Sequence, residues 1–159
     1  MVSTYKFPTR VLALEIRLAL SHSLAPLGAY VRSLTLLSEA EALARALDDR
    51  IRLGRVLAWM AGILRVTGDS DGAITVGRQA LELAAEFGES ALQEQAALHL
   101  GQLYYAIGDF GRAAELLQWS VEAADRGAGA PSTDERIRNL LSIEQFHGAL
   151  AGNVHACSL

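Results

Sequence analysis

The sequence predicts an all-α protein, a solenoid of antiparallel helix pairs with about seven helices and a 40-residue period. Three observations carry this. Gly28, Gly68, Gly108 and Gly148 are evenly spaced and set the period. The first three open similar turns, Gly28-Ala29-Tyr30, Gly68-Asp69 and Gly108-Asp109-Phe110, with a fainter copy at Gly148. Between the turns, apolar residues recur at spacings of three and four, the signature of an amphipathic helix.

Composition sets the bounds. At 159 residues the chain has the length of one ordinary domain and buries roughly 68–70% of its unfolded surface. Hydrophobic residues make up 51% and charged residues 20%, so disorder is not expected. The net charge of −4 offers no broad cationic field for a phosphate backbone, so no nucleic-acid partner is expected. Lys6 is the only lysine beside 13 arginines. The single Cys157 gives no internal disulfide, and a cytoplasmic setting is the default. The most apolar window, from Val11 to Val31, is interrupted by Glu15, Arg17, His22 and Pro26, so no membrane span is expected, and the N-terminus lacks the pattern of a signal peptide.

Pro8 and Thr9 mark the start of the first helix, which Val11, Leu12, Leu14, Ile16, Leu18 and Leu20 carry to about Leu24 before Pro26 and Gly28 end it. The second, about Tyr30 to Leu47, places Val31, Leu34, Leu37, Ala40, Ala44 and Leu47 on one expected buried stripe. Asp48-Asp49-Arg50 breaks the pattern, and Leu53, Val56, Leu57, Met60 and Leu64 define a third helix that closes at Thr67-Gly68. Asp69, Ser70 or Asp71 can cap the fourth, whose inner face is Ala73, Ile74, Gly77, Ala80, Leu81 and Ala84 and whose stop is Gly88. Gly62 and Gly77, costly inside helices, point to close helix approach.

Ser90-Ala91-Leu92-Gln93 has the form of a capping box and opens the fifth helix, with Ala96, Ala97, Leu100, Leu103, Tyr104 and Ile107 expected inside. The sixth, Phe110 to about Arg126, is expected to bury Ala113, Leu117, Val121 and Ala124. Gly127 to Pro131 reads as a linker, Ser132 to Glu135 as a second capping box, and Ile137, Leu140, Leu141 and Phe146 as a seventh helix, with a weakly patterned tail from Gly148. Short connections make successive helices antiparallel neighbours, and a fixed period makes each pair repeat one packing arrangement.

These residues resemble the tetratricopeptide repeat. Leu100-Gly101, Tyr104, Gly108-Asp109-Phe110, Ala113 and Leu117 follow that family's order of large, small and turn residues. Met60-Ala61, Leu64, Gly68-Asp69, Ala73 and Ala80 repeat it with Gly77 in a large position, and Leu20-Ser21, Leu24, Gly28, Tyr30, Leu37 and Ala40 repeat it with Pro26 and Ser33 as departures. The resemblance implies a right-handed solenoid in one domain over 1–159, with repeats at about 9–48, 49–88 and 89–127 and a partial one at 132–159. The family's usual period is shorter, about 34 residues. The longer period here implies longer helices, and Ser38 to Ala44 ahead of Asp48-Asp49-Arg50 is similar to the long-helix repeats of bacterial signalling ATPases and cyclases.

Reaction chemistry finds little footing. Gly108-Asp109-Phe110-Gly111 contains a kinase metal-binding triplet without the glycine-rich loop, strand lysine or catalytic loop that chemistry needs. No phosphate-binding GxxxxGK[ST] occurs. His22, His99, His147 and His155 are dispersed, so no metal site, cofactor or catalytic residue is expected, and Glu39/Glu41, Asp48/Asp49 and Asp69/Asp71 read as caps or solvated faces.

By the resemblance, the first helix of each pair lines a concave groove, at His22, Arg55, Trp59, Arg65, His99, Gln102, Tyr105, Arg138, Ser142 and Gln145. The expected function is a non-catalytic protein-interaction scaffold that binds a peptide or protein domain there, with Trp, Tyr and Arg as anchors. Trp59 and Tyr105 have an alternative place between neighbouring helices. A second expectation is a regulatory segment of a larger signalling protein, or one that self-associates through exposed terminal repeats into a homo-oligomer. A third, a small-molecule sensor, requires a closed apolar pocket.

Overall fold

A computed structural model of the chain describes residues 6–126, and the side chains of 8–122. Six helices follow one another: α1 (Lys6–Leu24), α2 (Tyr30–Ala46), α3 (Arg50–Thr67), α4 (Ser70–Phe87), α5 (Ser90–Ala106) and α6 (Phe110–Arg126), with a short 3-10 turn, Ala25–Leu27, after α1. The described residues contain no strand. Each helix packs on its successor, and α3 also packs on α5, as in an all-α helical solenoid. The expected seventh helix, with Arg138, Ser142 and Gln145, lies outside the described residues, as do Gly148 and Cys157.

The turns repeat at half the expected period. Backbone φ is positive at Gly28, Asp48, Gly68, Gly88 and Gly108, an even series in which each full period holds two turns. After each comes an amide that closes the last turn of the helix before it: Ala29 to Leu24, Asp49 to Ala44, Asp69 to Leu64, Glu89 to Ala84 and Asp109 to Tyr104, all from amide N–H to carbonyl oxygen at 2.9–3.2 Å. This is the six-to-one bond of the Schellman motif, which needs a left-handed residue just past the helix. Glycine takes that conformation without steric cost, and aspartate tolerates it better than most residues. Three of the residues that follow then start the next helix, because Asp49, Asp69 and Asp109 accept from the amides of Arg52, Gly72 and Arg112. Stop and start are consecutive residues, so the connections stay short and neighbouring helices run antiparallel.

The core is threaded by the same register. Ser21, Ala61 and Gly101 are buried on α1, α3 and α5, and Ser33, Ala73 and Ala113 on α2, α4 and α6. Small side chains there let helices approach. A Cβ on Gly77 would lie 2.7 Å from Leu100 Cδ2, so the glycine admits a leucine from α5. Ser33, a departure from the repeat pattern, donates its hydroxyl to the Ser21 carbonyl at 3.2 Å and so is satisfied where it is buried. Leu64 and Leu81 bridge the larger cluster around Leu37, Val56 and Leu57 to the smaller one around Leu100, Leu103 and Tyr104.

Some expectations need correction. Val31, Ile107 and Val121 are exposed rather than buried, because no described neighbour covers them. Leu12, Ile16 and Leu20 of α1 are also exposed, leaving Leu14 and Leu18 to carry its burial. Ser90 opens no capping box. Gly88 sets the cap one residue earlier, at Glu89, whose side chain makes no capping bond, and Gln93 instead donates to the Ala84 carbonyl at 3.4 Å.

Candidate functional site

Every described candidate residue falls on one of four register positions of the first helices. Arg55 lies one full period beyond Glu15, His99 one beyond Trp59, Tyr105 one beyond Arg65, and Gln102 two beyond His22. Along α3 these positions are Arg55, Trp59, Gly62 and Arg65, at steps of four, three and three, the spacing of one helix face.

Three of the candidates meet across three helices. The His22 and Trp59 rings have centroids 4.2 Å apart in an edge-on arrangement, and Trp59 and His99 are 5.9 Å apart in a similar one. The Trp59 indole N–H donates to the Ser21 hydroxyl at 3.2 Å, tying the middle of the row back to α1. His99 seats its ring on Gly62, where a Cβ would come within 2.9 Å of its Cε1. His99 keeps some exposed surface as a residue, but both ring nitrogens are buried and make no hydrogen bond. Burial first, then the charges of Arg65 and His22, push its pKa down to about 4, so the imidazole is neutral at pH 7. His22 is shifted the same way by burial and by Arg55.

The arginines flank this row. Arg55 reaches Glu15 at 3.0 Å, and Arg52 reaches the same carboxylate at 2.8 Å while also pairing with Asp49. Partial burial would raise the Glu15 pKa, but hydrogen bonds and charges from Arg52 and Arg55 outweigh it and hold the carboxyl below its usual range. Arg65 is largely enclosed, and that burial lowers its pKa, an effect partly offset by Tyr30. The Tyr105 ring lies 5.4 Å from that of Phe110. Gln102 is half-buried on α5.

Glu15, Ser21, Arg52 and Gly62 complete the arrangement and were not among the residues expected to line it. Reading each candidate one period in both directions finds Glu15 from Arg55, and Gly62 from His22. Ser21 and Arg52 become visible only when α1 and α3 are side by side. No group of three or more metal-ligating side chains occurs among the described residues, and no described helix is long and apolar enough to cross a membrane. The arrangement sets Arg52 and Arg55 around Glu15 and holds the Trp59 ring between those of His22 and His99.

Helix pairs stacked at a fixed period, with small residues at the crossings, define a helical repeat of the α-solenoid class. Residues 52–126, which span almost all of α3 through α6, match the family described as Tetratricopeptide repeat. That segment is a tetratricopeptide repeat array, and the Gly68-Asp69 and Gly108-Asp109 turns lie within it. No curated protein matches the chain. Tetratricopeptide repeats mediate protein–protein interaction, and the family is typically a non-catalytic scaffold.

Proposed function

We propose that the chain is a non-catalytic module that binds a protein segment along the face made by α1, α3 and α5. The observation that carries this reading is the row His22, Trp59, His99, which crosses three helices with Arg55 and Arg65 beside it. A face of this composition favours a segment that brings carboxylates to the arginines and an apolar side chain to Trp59, since Trp and Arg are the residue types that most often anchor interfaces. Tyr105 and Gln102 extend the same face along α5, and Arg138 is the residue expected to continue it.

The experiment is site-specific photocrosslinking in cells, with the probe at His22 or Gln102 on the first helices, or at the exposed Thr75 of α4. The expected result is one shared adduct from the first two positions and none from the third. Replacing Arg55 and Arg65 together by Gln, which keeps most of each side-chain stem, abolishes that adduct while leaving the melting temperature nearly unchanged. An undiminished adduct in the double variant removes the arginines from the reading.

A further inference from the structure

The second helices leave a cleft that the first helices close. α3 packs on α5, whereas α4 and α6 do not pack on each other in this way, and a cleft of about 450 Å³ opens between them. Arg78, Leu81, Glu82 and Ala85 of α4 form one wall, and Trp119 of α6 forms the other. The repeat shows that the fold does not call for a tryptophan there. One period earlier, Arg45 and Gln79 hold the places of Ala85 and Trp119 and line a polar cleft beside α2. Alanine and a half-buried indole in their stead make the later cleft apolar, with Leu81 between them.

The surroundings of that apolar cleft are acidic. Residues 68–126 carry ten Asp and Glu against three Arg. Glu82 is exposed on the α4 wall, and Glu115 and Glu122, four residues before Trp119 and three after it, are exposed on the same side of α6. The arginines nearby are engaged elsewhere. Arg78 donates to the Tyr104 hydroxyl at 3.1 Å, while Arg112 lies over the Tyr104 ring, 5.4 Å from its centre, and pairs with Asp109 at 3.3 Å.

We infer that this cleft binds a basic segment of another protein, which seats an apolar side chain against Trp119, Leu81 and Ala85 and pairs its cations with Glu82 and the carboxylates of α6. The indole face attracts lysine and arginine as well. Attraction between the unlike charges is screened by salt. The cleft shares no residue with the face of α1, α3 and α5 described above, so the two readings stand or fall separately.

The test uses the full chain with Trp59→Phe, which leaves Trp119 as its one tryptophan. It is titrated with an amphipathic peptide of leucine and lysine and with the leucine and glutamate peptide of the same pattern. The lysine peptide is expected to shift the Trp119 fluorescence to saturation, less tightly at high salt, and the glutamate peptide to leave it unchanged. Trp119→Gln introduces the residue that stands there one period earlier, and the affinity, read from the anisotropy of a labelled lysine peptide, should fall about tenfold. Glu82 is exposed, so Glu82→Gln leaves the fold untouched and should weaken the same peptide. An equal response to both peptides, or undiminished affinity in either variant, overturns the inference. So does a Trp119 that acrylamide does not quench before peptide is added, because the cleft would then be filled by another part of the chain or by a second copy.

Discussion

Trp59 and Ser21, far apart in the chain, are joined by an indole-to-hydroxyl hydrogen bond of 3.2 Å, and the Ser21 carbonyl accepts the Ser33 hydroxyl at the same distance. One buried serine thus fixes the middle of the aromatic row and the crossing of α1 with α2. Its two bonds use different atoms, so they can be separated by mutation.

Trp59→Phe keeps most of the aromatic surface and removes the donor. It should lower stability by about 1 kcal/mol, the usual net worth of a neutral hydrogen bond. Ser21→Ala should cost a similar amount, and the double variant little more than either single one. Urea denaturation of the three proteins measures the coupling, and additive losses would show that the bond contributes nothing.

Acid should unfold the array from the histidine row first. His99 titrates near its ordinary 6.5 in the unfolded chain and at about 4 in the fold. Between those values the unfolded chain binds more protons, so stability is complete above pH 6.5 and declines as pH falls toward 4, by roughly 3 kcal/mol at most. The lowered pKa of His22 acts in the same direction. Glu15 and Asp49, held below their ordinary values of 4.5 and 3.8, add their losses at lower pH. Denaturation curves at several pH values should show the decline, and His99→Leu should flatten much of it between pH 6.5 and 4.

Asp48→Gly should stabilise the protein. Asp48 is the one described residue other than glycine with positive φ, at 52°, and it holds the place that glycine takes at the four other turns. Relief of left-handed strain is worth about 0.5 to 1 kcal/mol after the extra freedom of glycine in the unfolded chain is counted. A lower urea midpoint in the variant would mean that the Asp48 side chain contributes more than its backbone costs.

Ala29→Asp should stabilise the start of α2. Ala29 sits at the N-cap with φ −80° and ψ 53° and makes no side-chain bond, whereas Asp69, at −82° and 77°, accepts from the Gly72 amide. Supplying the missing acceptor is worth about 1 kcal/mol. Thermal melts read the gain, and no change would show that the 3-10 turn before it holds the cap out of place.

These turns show what was legible in the sequence. Gly28, Gly68 and Gly108 announce the helix ends because glycine is the residue that left-handed backbone selects. Asp48 hides the same event under an ordinary polar residue, and with it the half-period step. Val31 reads as inward because it is apolar and correctly spaced for its own helix, but whether a neighbour covers that side depends on stacking. The candidate face was legible as positions, since helical spacing alone puts Arg55, Trp59 and Arg65 on one side. Its pairings were not, because Glu15 with Arg55 and Ser21 with Trp59 are contacts made only when separate repeats are brought together.

Gly62→Ala sets two effects of opposite sign against each other. In an exposed helix the change would stabilise by about 1 kcal/mol, because alanine loses less backbone freedom than glycine. Here the new Cβ would stand 2.9 Å from His99 Cε1, 3.1 Å from Nδ1 and 3.3 Å from Nε2, so the whole near edge of the ring must move. Trp59 lies beside that ring, which limits where it can go. Overpacking of this kind costs about 1–3 kcal/mol, so the net effect should be destabilising. The contest reverses once the ring is gone: against His99→Ala as background, Gly62→Ala should stabilise. A change of sign between the two backgrounds, read from urea midpoints, attributes the glycine to the seating of His99. The same sign in both would trace it to α3 alone.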